Sequence, residues 1–180
     1  MDILPDILAE ALITVFCGSA AGAASARRGA YYAGPGNAFW PTLHATGFTP
    51  RVLQPEEFQS VILYGIGLTD LAKSVAGSDA VLRSGHFNRD GLRAKILRYR
   101  PAILAFTSKR AAGEFLGQPV DYGLQARTLG GTLMFVLPSP SGAARRYWDQ
   151  TPWRQLAKLH TERLRQQPVR QRHAASDSGE

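Results

Sequence analysis

The residues Cys17-Gly18-Ser19-Ala20-Ala21-Gly22 follow the apolar run Leu12-Ile13-Thr14-Val15-Phe16. An apolar run that breaks into small residues predicts a buried strand over 11–17, then a tight loop. Ligands bind at such strand ends in open α/β sheets. Ser19 is the one side-chain hydrogen bonder in the loop. Cys17, the single cysteine of the chain, fits a small core residue whose apolar surroundings keep the thiol inert. Thr69 and Asp70 are adjacent; in an extended stretch they point to opposite faces, so only one of them lines a given pocket. His86 lies in Ser84-Gly85-His86-Phe87-Asn88, a loop before a helix, and is a candidate base. His44 sits inside a helical stretch and is assigned to packing. Ser139 and Ser141, in a Pro/Ser/Gly loop that runs on to Arg145 and Arg146, suit phosphate contacts.

Alternating elements would position these groups. Helices are expected over 37–48 (Asn37 as cap), 55–65, 88–101 (Asn88 as cap), 108–117 (Ser108 as cap, Gly117 as stop) and 151–167 (Thr151 as cap). Short apolar strands are expected over 102–108 and from 131 into the 137–146 loop. Strands alternating with helices argue for a parallel sheet covered on both faces, an α/β fold. Residues 1–167 fit one domain; 168–180 form a polar tail too poor in apolar residues to pack.

The totals narrow the classes. The chain has 180 residues, 44% of them hydrophobic, enough for a real core. No apolar run reaches the ~18 residues of a membrane span. The acidic N-terminus is unlike a signal peptide, and the expected location is cytoplasmic, bacterial-type and nucleoid-associated. A single cysteine excludes an internal disulfide and a cysteine-based zinc cluster. The 21 Lys+Arg against 14 Asp+Glu give +7. Eight of those 21 lie after residue 144, which points to a polyanion.

Three segments together resemble the uracil-DNA glycosylase superfamily, and most nearly its mismatch-specific uracil and thymine-DNA glycosylase branch. They are Phe16–Gly22 leading to Tyr31–Trp40, Tyr64–Leu71, and Leu137–Arg145. The resemblance implies a three-layer α/β/α sandwich with a short parallel sheet. It implies a monofunctional enzyme of base excision repair that flips a uracil, or a related deaminated or damaged base, from DNA and hydrolyses its N-glycosidic bond. It implies no metal and no cofactor. Backbone N–H groups near Gly18 and Gly22 would stabilise charge on the leaving base. Tyr32 falls where the family stacks an aromatic ring on that base. Asn37, Phe39 and Trp40 also match, with Asn37 on the base and the two large rings in the core. Thr69 matches a water-holding threonine, and Ser19 and Ser139 are further water holders. The loop with Ser141, Gly142, Ala143, Arg145 and Arg146 would enter the minor groove.

Two positions depart from the family. Ala20 stands where the family has the asparagine that orients the attacking water, and Ala21 replaces the following proline. Losing a water-orienting group typically costs about 10²–10⁴-fold. Ala143 stands at the wedge position and is too small to fill the gap left by a flipped base, which predicts a preference for single-stranded or mispaired DNA. A monomer is expected. The alternative is a glycosylase fold kept for DNA or lesion binding with weak or no hydrolysis. A generic nucleotide-binding α/β protein ranks last, because no Gly-rich phosphate loop stands between a strand and a helix.

Overall fold

A computed structural model describes residues 1–168. The predicted tail from 169 on, with Arg170 and Arg172, lies outside the described residues. Five strands form one sheet: β1 (Thr14–Ala21), β2 (Ile66–Ala76), β3 (Ile103–Phe106), β4 (Gly123–Leu129) and β5 (Thr132–Val136), in the order β2-β1-β3-β5-β4. Parallel pairing joins β1 to β2 and β3, and β3 to β5; β4 is an antiparallel edge. The helices are α1 (Ala23–Arg28), α2 (Phe39–Ala45), α3 (Arg89–Tyr99), α4 (Lys109–Leu116) and α5 (Thr151–Gln166).

Alternation along β1 separates two cores. Phe16 packs with Phe39, Phe48, Trp153 and Leu156 on one face. Val15 and Cys17 pack with Leu92, Ile96, Ala111 and Ala112 of α3 and α4 on the other. Burying each large apolar side chain contributes about 1.5–3 kcal/mol. The result is the expected three-layer α/β arrangement. Buried His160 fastens α5: its Nε2–H donates to the Tyr64 carbonyl and its Nδ1 accepts from the Thr14 hydroxyl. Burial holds this imidazole neutral, its pKa pushed down to about 4.

Local punctuation fixes α3 and α4 where expected. The Asn88 side chain accepts from Gly91 N–H, and Ser108 Oγ accepts from Ala111 N–H. Several boundaries differ from the sequence reading. Cys17–Ala21 is not a loop: β1 continues through it, paired to β2 with Gly18 opposite Asp70 and Ala20 opposite Ala72. The small residues end the apolar signal but not the hydrogen-bonded pairing. Residues 55–64 wind as a 3-10 segment rather than an α-helix. Ala38, not Asn37, caps α2, and Gln150, not Thr151, caps α5. β4 escaped the sequence reading because four of its seven residues are exposed and few are apolar. Gly130-Gly131, both at positive φ, was its signal, a two-residue hairpin turn.

The N-terminal segment is part of the sheet edge. Ile7 forms an antiparallel bridge with Leu68, and Ile3 N–H donates to the Lys73 carbonyl. This covers β2, which would otherwise be an open edge. Among the described residues, no helix is long and apolar enough to cross a membrane.

Candidate active site

The site forms where β3 stops. β3 pairs with β1 only as far as Phe106 opposite Cys17, so Gly18 lies just past its end. Thr107 follows, its N–H on the Cys17 carbonyl at 3.0 Å. On the other side of β1, Asp70 of β2 is in register with Gly18. Because Gly18 has no side chain, the Asp70 carboxylate leans over its backbone. A Cβ built on Gly18 would lie 2.6 Å from Asp70 Oδ1, and 3.6 Å from both the Thr107 and Tyr32 hydroxyls. One carboxylate and two hydroxyls therefore converge on one glycine at the end of the parallel strands.

Each group is held in place. Tyr32 has a left-handed backbone (φ 52°), a conformation that surrounding structure must enforce. Its ring stacks on Phe39 at 3.8 Å between centroids and 16° between planes, and its hydroxyl lies 3.2 Å from Thr107 Oγ1. Asp70 is 6% exposed, and no hydrogen-bond partner for its carboxylate is found among the described residues. Burial pushes the Asp70 carboxyl up to about 7, Lys73 opposes the rise, and Asp6 adds to it. Burial also raises the Tyr32 phenol well above its ordinary value, with Asp70 contributing.

Thr69 lies elsewhere. Its buried hydroxyl donates to Asp6 Oδ1 at 2.7 Å, so it is taken up by the N-terminal segment on the face of β2 away from Gly18. Ser19 is tied to Ser108 Oγ at 3.2 Å, next to the cap of α4. Ala20 is half-buried against the α3/α4 core. Gly22 lies just past the strand, exposed, with nothing within 4 Å of an added Cβ. Asn37 Oδ1 accepts from Phe39 N–H at 3.0 Å. His86 Nδ1 accepts from Arg83 N–H in an exposed turn. His44 is exposed rather than packed, and donates to the Thr49 carbonyl.

The loop after β5 closes against the Tyr32 loop. Ala38 N–H donates to the Pro140 carbonyl at 2.8 Å. Gly142 and Gly36 permit the contact: a Cβ on Gly142 would meet the Pro35 carbonyl at 2.8 Å, and one on Gly36 would meet Arg145 Nη2 at 2.8 Å. Ser139 and Ser141 accept from the backbone N–H groups of Ser141 and Ala143 and shape this turn. Ala143, Arg145 and Arg146 are exposed, with the Arg146 guanidinium over the Tyr147 ring. A groove of about 950 Å³ lies at the opposite ends of β1 and β3, by Leu12, Arg98, Arg100 and Arg163, away from all these groups.

A family model for the uracil DNA glycosylase superfamily matches residues 5–159. The chain belongs to the uracil DNA glycosylase superfamily. Among solved structures, it is similar to the solution structure of a candidate uracil DNA glycosylase from Methanosarcina acetivorans. The TM-score is 0.61 at 22% identity, over 88% of this chain and 96% of that one. That likeness speaks for the fold, and membership speaks for DNA glycosylase chemistry. Asp70 is the residue that sequence reasoning set aside. Strand alternation puts Thr69 and Asp70 on opposite faces, and the register with Gly18 places the Asp70 carboxylate over that glycine. Among the described residues, no three His, Cys, Asp or Glu side chains gather as a metal site would require.

Proposed function

We propose that this protein is a monofunctional DNA glycosylase, nearest the mismatch-specific branch of its superfamily, in which Asp70 does the work of the missing asparagine. One observation carries the reading: the buried Asp70 carboxylate lies over Gly18 beside the Tyr32 and Thr107 hydroxyls. In that position the carboxylate can accept a proton from a water, and the hydroxyls can orient it. The water's oxygen bonds to the sugar C1′ as the C1′–N bond breaks, and the base leaves with the bonding pair. Main-chain N–H groups at the end of β1 stabilise that developing charge. A base poised near neutrality combines a large ionised fraction with real basicity, and such a group contributes about 10²–10⁴-fold. Phe39 takes one face of the Tyr32 ring, and the other serves the flipped base. With Ala143 at the wedge position, single-stranded or mispaired DNA is the preferred substrate, because the enzyme adds little to the opening of a duplex.

The second reading, a DNA-binding protein that does not cut, is favoured by Ala20 and Ala143 alone. Single-turnover excision from labelled oligonucleotides separates the two. Uracil, hypoxanthine, xanthine and ethenocytosine would each be presented single-stranded and opposite each base. Excision by wild type that is lost in Asp70→Asn supports the proposal. Binding without excision by wild type, with cutting gained in Ala20→Asn, overturns it in favour of the second reading. Wild-type activity retained in Asp70→Asn removes Asp70 from the mechanism.

A further inference from the structure

The proposed base shares its strand with an ion cluster that the reaction itself does not use. Lys73, three residues after Asp70, has a side chain only 10% exposed. Its ammonium donates to Asp6 Oδ1 at 2.7 Å, to the Leu4 carbonyl at 2.6 Å and to the Tyr31 hydroxyl at 3.2 Å. Those three contacts use all its donors. Asp6 in turn accepts from Thr69 at 2.7 Å and from Lys95 of α3 at 2.5 Å. Tyr31 precedes Tyr32, whose hydroxyl shares the space over Gly18 with Asp70. The cluster thus ties together the N-terminal segment, β2, α3 and the loop that carries the site's tyrosine.

We propose that Asp6 and Lys73 are positioning residues that act on Asp70 in opposite senses, so that the N-terminal segment sets the pH range over which the site can take a proton. The catalytic half of this statement rests on the glycosylase reading; the electrostatic half does not. The groups around Asp70 are few. Lys73 on β2 favours its charged form, and Asp6 on the N-terminal segment disfavours it. The Cys17 thiol of β1 and the Tyr31 and Tyr32 phenols are all shifted upward, chiefly by burial, and carry no charge near neutrality. Thr107 beside α4 is uncharged, and Lys95 of α3 is bonded to the far oxygen of Asp6. Among the described residues Lys73 is therefore the cation that acts on Asp70, and Asp6 both fixes and partly cancels it.

The test uses Lys73→Gln, Lys73→Arg and Asp6→Asn in the full chain, and follows Asp70 in two ways. The first is carboxyl-carbon NMR titration without DNA, with the Asp70 signal assigned by its loss in Asp70→Asn. The second is the acid limb of single-turnover uracil excision from a single-stranded oligonucleotide. An opposite charge nearby favours the charged form of a carboxyl, and a like charge disfavours it. Lys73→Gln is expected to move the Asp70 midpoint up, and Asp6→Asn to move it down. Lys73→Arg, which keeps the charge, is expected to stay near wild type and guards against loss of fold. An excision limb that follows the NMR midpoints supports both halves. Midpoints that move in opposite senses while excision ignores them keep the electrostatic half and sink the glycosylase reading of Asp70. Midpoints that stay put, or that move in the same direction in Lys73→Gln and Asp6→Asn, overturn the proposal.

Discussion

Two carboxylates flank β2 and meet opposite fates. Asp6 accepts from two ammonium groups and a hydroxyl. Burial would raise its carboxyl, but hydrogen bonds from Lys73, Lys95 and Thr69 outweigh it and hold the group below its ordinary value. Asp70 lies on the other side of the strand, over Gly18, with no hydrogen-bond partner for its carboxylate among the described residues, and burial dominates. The same residue type is a structural anchor in one place and, in the function proposed above, a proton acceptor in the other. Compensation makes the difference: a paired carboxylate stays charged and quiet, and an unpaired buried one is poised to titrate.

Asp70→Asn should break this contrast most severely. Excision is expected to fall by about 10²–10⁴-fold in single-turnover assays, with the fold intact. The stability effect has a worked sign. The folded Asp70 holds its proton up to about 7, against an ordinary 3.8. Its contribution is therefore full below the unfolded value and is lost as pH rises through that window, by up to about 1.4 kcal/mol per pH unit. Asp6 slopes the other way, because its lowered pKa gives stability that disappears as pH falls. Urea midpoints from pH 4 to 7 should thus show Asp70→Asn gaining on wild type as pH rises; parallel curves would mean that Asp70 titrates normally.

Gly18→Ala is expected to come next. The new Cβ would lie 2.6 Å from Asp70 Oδ1 in a strand paired on that side, so the short carboxylate side chain must swing away. Overpacking of this kind costs about 1–3 kcal/mol, and misplacing a reacting group by about 1 Å can cost 10²-fold in rate. The expected signature is a kcat loss far larger than the fall in Tm would explain. Unchanged kcat would show that the close approach of Gly18 and Asp70 has no part in the chemistry.

Much of this arrangement was legible in the sequence, and the missing part was long-range. α3 and α4 were readable because Asn88, Ser108 and Gly117 punctuate them locally. β3 and β5 were readable as short apolar runs. β1 was cut short because Gly18–Ala21 carry no apolar signal, and only pairing with β2 keeps them extended. The alternation of Thr69 and Asp70 was clear and the resemblance favoured Thr69, but the face that each side chain takes was not legible. It depends on Asp6, 63 residues earlier, reaching over one face of β2 to take the Thr69 hydroxyl. No local pattern contains that contact.

Thr69→Val tests that choice directly. It removes the hydroxyl from Asp6 and keeps the branched shape that suits a strand. Losing a hydrogen bond to a charged group is expected to destabilise the fold by about 1.5–3 kcal/mol, read as a lower urea midpoint. Excision should stay close to wild type when stability is matched by lowering the assay temperature. A collapse of excision with little change in stability would make Thr69 the water holder and reverse the assignment of the two faces.

The smallest effect is expected from Lys95→Met. Lys95 and Lys73 grip the same carboxylate, but Lys95 leaves 32% of its side chain exposed and Lys73 only 10%. Partial exposure screens the Lys95 pair, so its loss is worth about 0.2–1 kcal/mol. Charge near Asp70 comes from Lys73 and Asp6. Lys95→Met should therefore lower the urea midpoint slightly and leave the acid limb of excision in place, whereas Lys73→Gln moves it. A limb that moved equally in both variants would mean that positive charge on Asp6 acts on Asp70 whichever lysine carries it. The contrast between the two carboxylates would then reflect the total charge around the strand rather than its two sides.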